Sequence, residues 1–139
     1  MNERFLLDTD ICSFIIKGIR PDLDVRLREL APERALISAV TRAELRFGVA
    51  KRPEASRLAK LVEDFLGTVV TLPWNATVAD TYGQVRARLE KAGTPIGEHD
   101  TMIAAHALAE HLTVVTNNIA HFRQVEGLRC VTWNQTEVS

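Results

Sequence analysis

The sequence is poor in the features that mark secreted, membrane and disordered proteins. Its two cysteines, Cys12 and Cys130, are too few for a disulfide framework and lack the spacing of a metal site. No apolar run approaches the roughly 18 residues of a membrane span. We expect no targeting segment either, because an acid follows only three large apolar residues near the start. Linkers rich in Pro, Gly or Ser are missing, and no segment repeats. These absences predict a single domain over residues 1–139, located in the cytoplasm without membrane contact.

An excess of charge of one sign is also missing. Lys and Arg number 17 against 18 Asp and Glu, for a net charge of −1. Bulk attraction to a polyanion is therefore excluded, and any such contact needs a local basic patch. The best candidate is a stretch whose only acids are Glu44 and Glu54. Its basic residues are Arg42, Arg46, Lys51, Arg52, Arg57 and Lys60, of which the first four are the predicted RNA contacts. We predict a phosphate-binding surface here, with a solvated helix face as the alternative.

What the sequence does contain is an alternation of short apolar strands with helices. Strands are predicted at 5–7, 35–38, 69–72, 112–116 and 130–133. Short, continuously apolar strands are typical of parallel sheets covered on both faces. The predicted fold is therefore a three-layer α/β/α sandwich around a central, mostly parallel sheet. Sites in such sheets form beyond the carboxyl ends of the strands.

Two acids stand out at this rim. Asp8 directly follows the first predicted strand, where the alternative role is a helix N-cap for which Asp10 competes. Asp100 heads an apolar stripe on its predicted helix. The stripe continues through Ile103, Ala104, Ala107 and Leu108. A carboxylate at the head of a core-facing stripe is partly buried, and it needs a partner such as a metal ion.

A third acid, Glu44, shares a helix face with Thr41 and Gly48. A glycine inside a helix costs about 1 kcal/mol relative to alanine, so we expect something to approach closely at Gly48. The alternative is a solvated Glu44 paired with an arginine such as Arg42 or Arg46. Three acids converging at a strand rim suit a hard cation such as Mg²⁺, which can activate water for phosphodiester cleavage.

A polar segment, Thr116-Asn117-Asn118, follows the clearest strand and should join the same rim. An ordinary turn is its alternative interpretation.

Four ordered segments resemble the PIN-domain ribonucleases, and within them the toxins of bacterial VapBC toxin–antitoxin pairs. The segments read FLLDTD at 5–10, ISAVTRAELRFG at 37–48, TPIGEHD at 94–100 with IAAHA at 103–107, and VVTNN at 114–118. Phe122, Gly127, Leu128 and Trp133 continue the likeness, which covers nearly the whole chain.

The resemblance implies an endoribonuclease that uses Mg²⁺ or Mn²⁺, with Asp8 and Asp100 as metal ligands and Glu44 completing the acidic cluster. It implies structured RNA as substrate, initiator tRNA included, and inhibition by a cognate VapB-type antitoxin. A homodimer and a larger toxin–antitoxin complex are expected, with operator DNA bound only through the antitoxin. The side chains expected to orient the metal ligands are Thr9, Ser38, Thr41, Thr116 and Asn118.

The sequence departs from the family pattern in one place. Many PIN domains carry a fourth acid where this chain has Asn117 and Asn118, and His121 stands where relatives often have Glu. One bound metal is therefore a safer expectation than two.

Three other interpretations stay open. His99 and His121 could line the site and cut RNA without metal, whereas His106 is expected to be a packed residue. A phosphoacceptor signalling domain also places acids at strand ends, but it needs a late lysine, and none follows Lys91. A catalytically weak PIN domain acting mainly as a binding partner is the third.

Overall fold

The computed structural model describes residues 3–133. Within them, short strands alternate with helices, as predicted. The strands are β1 (Phe5–Leu7), β2 (Ala35–Ser38), β3 (Val70–Leu72), β4 (Thr113–Val115) and β5 (Arg129–Val131). The α-helices are α1 (Thr9–Lys17), α2 (Pro21–Arg28), α3 (Ala39–Ala50), α4 (Ser56–Leu66), α5 (Ala76–Ala92), α6 (Glu98–Glu110) and α7 (Ile119–Phe122). A short 3₁₀ helix at Pro32–Arg34 leads into β2.

The strands form one sheet in the order β3-β2-β1-β4-β5, and every neighbouring pair is parallel. From β1 the chain moves outward to β2 and β3, and it then returns to the other side of β1 for β4 and β5. The winding direction thus reverses between β1 and β4. In open parallel sheets the crevice at such a reversal, beyond the carboxyl ends of the strands, is where ligands bind.

Helices cover both faces of the sheet, which confirms the predicted three-layer architecture. Successive strand residues point to opposite faces, so the fully buried Leu6 and Leu7 belong to different apolar clusters. Leu7 packs with residues of α1, α2 and α4, whereas Leu6 packs with residues of α5, α6 and α7. The central strand is therefore held from both sides.

Most helix ends lie where local sequence signals place them. Gly18 and Gly93 end α1 and α5 in the left-handed conformation, with φ of 68° and 73°. The Asn75 side chain accepts a hydrogen bond from the Val78 N–H at 3.1 Å and caps α5. Proline is favoured in the first turn of a helix, which predicts that α4 opens at Pro53, but α4 begins at Ser56. Pro53 instead lies in a turn closed by the Ala55 N–H and the Arg52 carbonyl, because the chain must reverse after α3.

Among residues 3–133, no helix is long and apolar enough to cross a membrane. Both thiols are free, as expected. Cys12 is buried in the core, whereas Cys130 is only half-buried at the edge strand.

Candidate active site

Asp8 stands at the reversal point between β1 and β4. Its backbone N–H donates to the Val115 carbonyl at 3.1 Å, which extends the pairing of the two strands by one residue. Its Oδ1 accepts a hydrogen bond from the Ile11 N–H at 2.9 Å and so caps α1. Asp8, and not Asp10, is therefore the N-cap. The cap occupies one carboxylate oxygen and leaves the second available to another partner.

The environment of Asp8 is unfavourable for a lone negative charge. The residue is 4% exposed, and burial is the main cause that raises its pKa from 3.8 to about 6. Hydrogen bonds from the Thr116 side chain and the Ile11 N–H lower the pKa, whereas the negative charges of Asp10 and Asp100 raise it. No Lys or Arg of residues 3–133 forms an ion pair with Asp8. A cation is thus the partner that this buried carboxylate lacks.

Asp100 lies in the first turn of α6, and its side chain is 24% exposed. The stripe below it faces the core as predicted, since Ile103, Ala104 and Ala107 are fully buried. Asp100 Oδ2 lies 3.1 Å from His121 Nδ1 and accepts a hydrogen bond of 3.4 Å from the Asn118 amide. Of the three residues that depart from the family pattern, Asn118 and His121 therefore contact this acid.

Thr116 and Asn118 join the same rim through the backbone. Thr116 is fully buried after β4, and its Oγ1 accepts a hydrogen bond from the Asn118 N–H at 2.8 Å. This contact turns the chain so that the Asn118 side chain faces Asp100. The polar segment is thus both a turn and a part of the site.

The hydroxyl of Thr9 connects the elements that carry the three acids. Its Oγ1 lies 3.0 Å from Thr41 Oγ1 and 2.7 Å from His99 Nε2. Thr9 follows Asp8, Thr41 lies one helical turn before Glu44, and His99 precedes Asp100. This contact of His99 could not be read from the sequence, because residues 9 and 99 meet only in the folded chain.

Glu44 is exposed and lies on the wall of a cavity of about 270 Å³ between α1, α3 and α4. Thr9, Gly48, Lys51 and Arg52 also line this cavity. A Cβ added at Gly48 would meet no atom of this chain within 4 Å, so no described part of the chain makes the close approach expected there. The glycine instead widens open space beside Glu44.

The arginines considered as partners of Glu44 bind elsewhere. Arg42 donates to Thr71 Oγ1 at 3.0 Å, and Arg46 pairs with Glu63 at 2.7 Å. The predicted basic group therefore divides in two. Of the four predicted RNA contacts, Lys51 and Arg52 line the cavity that contains Glu44, whereas Arg42 and Arg46 do not.

A buried pair connects α6 to the start of α3. Ser38 Oγ accepts from the Val40 N–H at 3.1 Å and lies 2.8 Å from His106 Nδ1. Burial lowers the pKa of His106, and nearby Glu110 only partly opposes this effect. His106 is a packed residue, as predicted, and it supports the N-cap of the helix that carries Glu44.

The side chains at the reversal point are chemically suited to a hard divalent cation. Two carboxylates, of Asp8 and Asp100, and the amide of Asn118 supply oxygen donors of the kind that Mg²⁺ prefers. Residues 3–133 contain no group of three or more His, Cys, Asp or Glu side chains that could hold a metal ion. Asp8 and Asp100 therefore form a candidate site of two carboxylates, and Glu44 lies on the wall of the neighbouring cavity.

Comparison with known proteins identifies the family. The family model for the PIN domain matches residues 5–128. A tRNA(fMet)-specific endonuclease VapC of Salmonella typhimurium is 38% identical over 130 residues, which cover 94% of this chain and 98% of the relative. The chain belongs to the VapC branch of the PIN-domain family. The predicted resemblance is thereby confirmed.

Solved VapC structures share the architecture of this PIN domain. VapBC of Salmonella typhimurium bound to DNA matches with a TM-score of 0.87 and 37% identity, over 95% of this chain and 99% of that one. VapBC2 of Rickettsia felis, bound to a DNA fragment from its promoter, matches with a TM-score of 0.86 and 33% identity, over 94% and 98%.

Proposed function

We propose that this PIN-domain protein is the toxin of a type II toxin–antitoxin pair and an endoribonuclease that depends on Mg²⁺ or Mn²⁺. The observation that carries the metal dependence is the buried Asp8, which lies near Asp100 and pairs with no Lys or Arg of the described chain. The ribonuclease activity is supported by the names of its relatives, among them Ribonuclease VapC2 of Rickettsia felis. Structured RNA is the proposed substrate, with initiator tRNA the first to test because a 38% identical relative is named for it.

In the proposed mechanism, Asp8 and Asp100 would hold the metal ion, and Glu44 would complete the acidic cluster from the wall of the neighbouring cavity. When bound, the ion supplies a Lewis acid for the scissile phosphate and lowers the pKa of the attacking water. Thr116 and the Ile11 N–H hold the Asp8 carboxylate in one orientation.

The remaining polar residues keep the acids in register. Thr9 holds α1, α3 and the start of α6 together through Thr41 and His99. Asn118 and His121 orient Asp100 from the other side, and Ser38 caps the helix of Glu44. Loss of contacts that orient metal ligands in this way commonly lowers metal affinity or activity by about ten- to a hundredfold.

The proposed partners follow from the family. Solved VapBC structures join a VapC to its VapB antitoxin on DNA, so we expect a VapB-type antitoxin to inhibit this chain. The proposal includes a homodimer of residues 1–139, each copy acting as a single domain. It also includes a larger complex that binds operator DNA through the antitoxin.

The test is to replace Asp8 or Asp100 by asparagine. Cleavage of initiator tRNA in Mg²⁺ should fall by about a hundredfold or more, because each change replaces a charged metal ligand with a neutral side chain of similar shape. Gel analysis measures cleavage, and circular dichroism checks that the variants fold. Asp80→Asn, an exposed change on α5, is the matched control and should cleave normally.

Two outcomes would contradict the metal mechanism. One is cleavage at the wild-type rate by either folded variant. The other is wild-type cleavage that survives EDTA, which would instead support acid–base cleavage by His99 and His121.

A further inference from the structure

Phe47 is an aromatic side chain that the fold does not use. The residue is 60% exposed, although it lies within α3, in the last turn of the helix. The buried face of this helix is formed by Thr41 and Leu45. Phe47 follows Glu44 by three positions and precedes Lys51 by four, so the three side chains form one exposed strip along the helix. Neither packing nor capping explains a phenylalanine at this position.

The charges beside Phe47 indicate what kind of molecule would cover it. The Lys51 ammonium lies 5.2 Å from the centre of the ring, in a cation–π contact. Lys51 and Arg52 continue into the cavity that contains Glu44. Two exposed cations, Lys51 and Arg52, follow the ring along the chain, and they favour a negatively charged partner. A nucleic acid fits both the exposed ring and the cations, because its bases are flat aromatic rings and its phosphates are negatively charged.

We propose that Phe47 stacks against an unpaired base of the RNA, while Lys51 binds an adjacent phosphate and directs the strand into the Glu44 cavity. This inference rests on the proposed ribonuclease function and adds to it a residue that positions the RNA. A ring on a helix surface can stack on a base only if that base is not already paired and stacked within a duplex. Phe47 should therefore act only on a base that is unpaired in the bound RNA.

The experiment compares Phe47→Ala and Phe47→Leu with Phe47→Tyr. Leucine keeps an apolar side chain but cannot stack, whereas tyrosine can. Steady-state cleavage of a single-stranded RNA should show KM raised about tenfold or more for Ala and Leu. The kcat of the Ala and Leu variants should stay near the wild-type value. Phe47→Tyr should keep both the KM and the kcat of wild type. Val25→Ala removes an exposed apolar side chain on α2, 56% exposed, and as the matched control should change nothing.

A second measurement detects stacking without cleavage. A 12-nucleotide RNA with a central 2-aminopurine is mixed with each protein in EDTA, and its fluorescence is followed. Wild type and Phe47→Tyr should quench the fluorescence, Phe47→Ala and Phe47→Leu should not, and the same RNA in a duplex should show no change. If wild-type protein quenches but cuts no RNA in Mg²⁺, the proposed function fails while the stacking inference stands.

Several results would overturn the inference. One is that Phe47→Ala keeps both the KM and the fluorescence quenching of wild type. Another is full activity of Phe47→Leu, which would indicate a simple apolar contact. It is also overturned if Phe47→Ala leaves RNA binding intact and instead changes the oligomeric mass or weakens binding of the co-expressed antitoxin.

Discussion

At the scale of single residues, Asp8 combines a structural contact with a charge that folding disfavours. One oxygen of its carboxylate caps α1, while burial raises the pKa of the group to about 6. The folded protein therefore holds the Asp8 proton more tightly than the unfolded chain does. Without a metal ion, stability is lost as the pH rises from about 4 to above 6.

This linkage predicts that Asp8→Asn stabilises the metal-free protein near neutral pH. Asparagine keeps the cap on α1 and removes a buried charge whose cost is about 3 kcal/mol at pH 7.5. The gain should shrink below pH 6 and vanish near pH 4, where the carboxyl is protonated in both states. Urea unfolding in EDTA, followed by circular dichroism across this pH range, measures the difference.

Asp80→Asn is the control, because this acid is exposed on α5 and its charge does not act on the pKa of Asp8. It should leave the pH profile close to wild type. A gain for Asp8→Asn that does not depend on pH would show that the charge of Asp8 is not its cause.

The residues of the site differ in how far the sequence alone could place them. Asp8 and Asp100 were predictable, because a strand end and an apolar stripe are local patterns that fix where a side chain points. The environment of Glu44 was not predictable. Its cavity forms only where three helices meet, and the partners of Arg42 and Arg46 come from β3 and α4.

At the scale of secondary-structure elements, the side-chain caps formed by Ser38 and Asn75 offer a matched comparison. Each accepts one backbone hydrogen bond at the start of its helix, α3 or α5. Only Ser38 also contacts a buried imidazole, that of His106. The other ring nitrogen of His106 makes no hydrogen bond and lies 3.7 Å from Glu110 Oε2, so Ser38 is the one hydrogen-bond partner of this imidazole among residues 3–133.

We therefore expect Ser38→Ala to cost more than Asn75→Ala. Loss of a cap alone costs about 1 kcal/mol, which is the expected effect at Asn75. Loss of the contact to His106 adds about 1–3 kcal/mol, because it leaves a buried polar group unpaired. Urea unfolding at pH 7.5 gives both free energies of unfolding. Equal costs for the two variants would mean that the contact between Ser38 and His106 contributes nothing.

Helix ends were easier to predict than the connections between helices. Gly18, Gly93 and Asn75 act through backbone geometry within one turn, and the sequence shows them directly. Pro53 gave a misleading signal, because proline suits a turn as well as a first helical turn. Only the packing of α4 against α3 decides between these uses.

At the scale of the whole molecule, the site depends on two helical layers that meet at β1. Leu6 and Leu7 pack into opposite layers, and Asp8 follows them directly. The two tryptophans of the chain report on the two layers separately. Trp133 is 3% exposed and packs edge-on against Phe5, whereas the Trp74 indole donates to the Met102 carbonyl of α6 at 3.3 Å.

The shared central strand predicts that both layers unfold together. In Trp74→Phe the fluorescence follows Trp133 alone, and in Trp133→Phe it follows Trp74 alone. Within each variant, the urea midpoint from fluorescence should coincide with that from far-UV circular dichroism, because β1 cannot lose one layer and keep the other. Midpoints that separate in either variant would show that one layer melts first. In that case Asp8, at the end of β1, would lose its position before the rest of the chain unfolds.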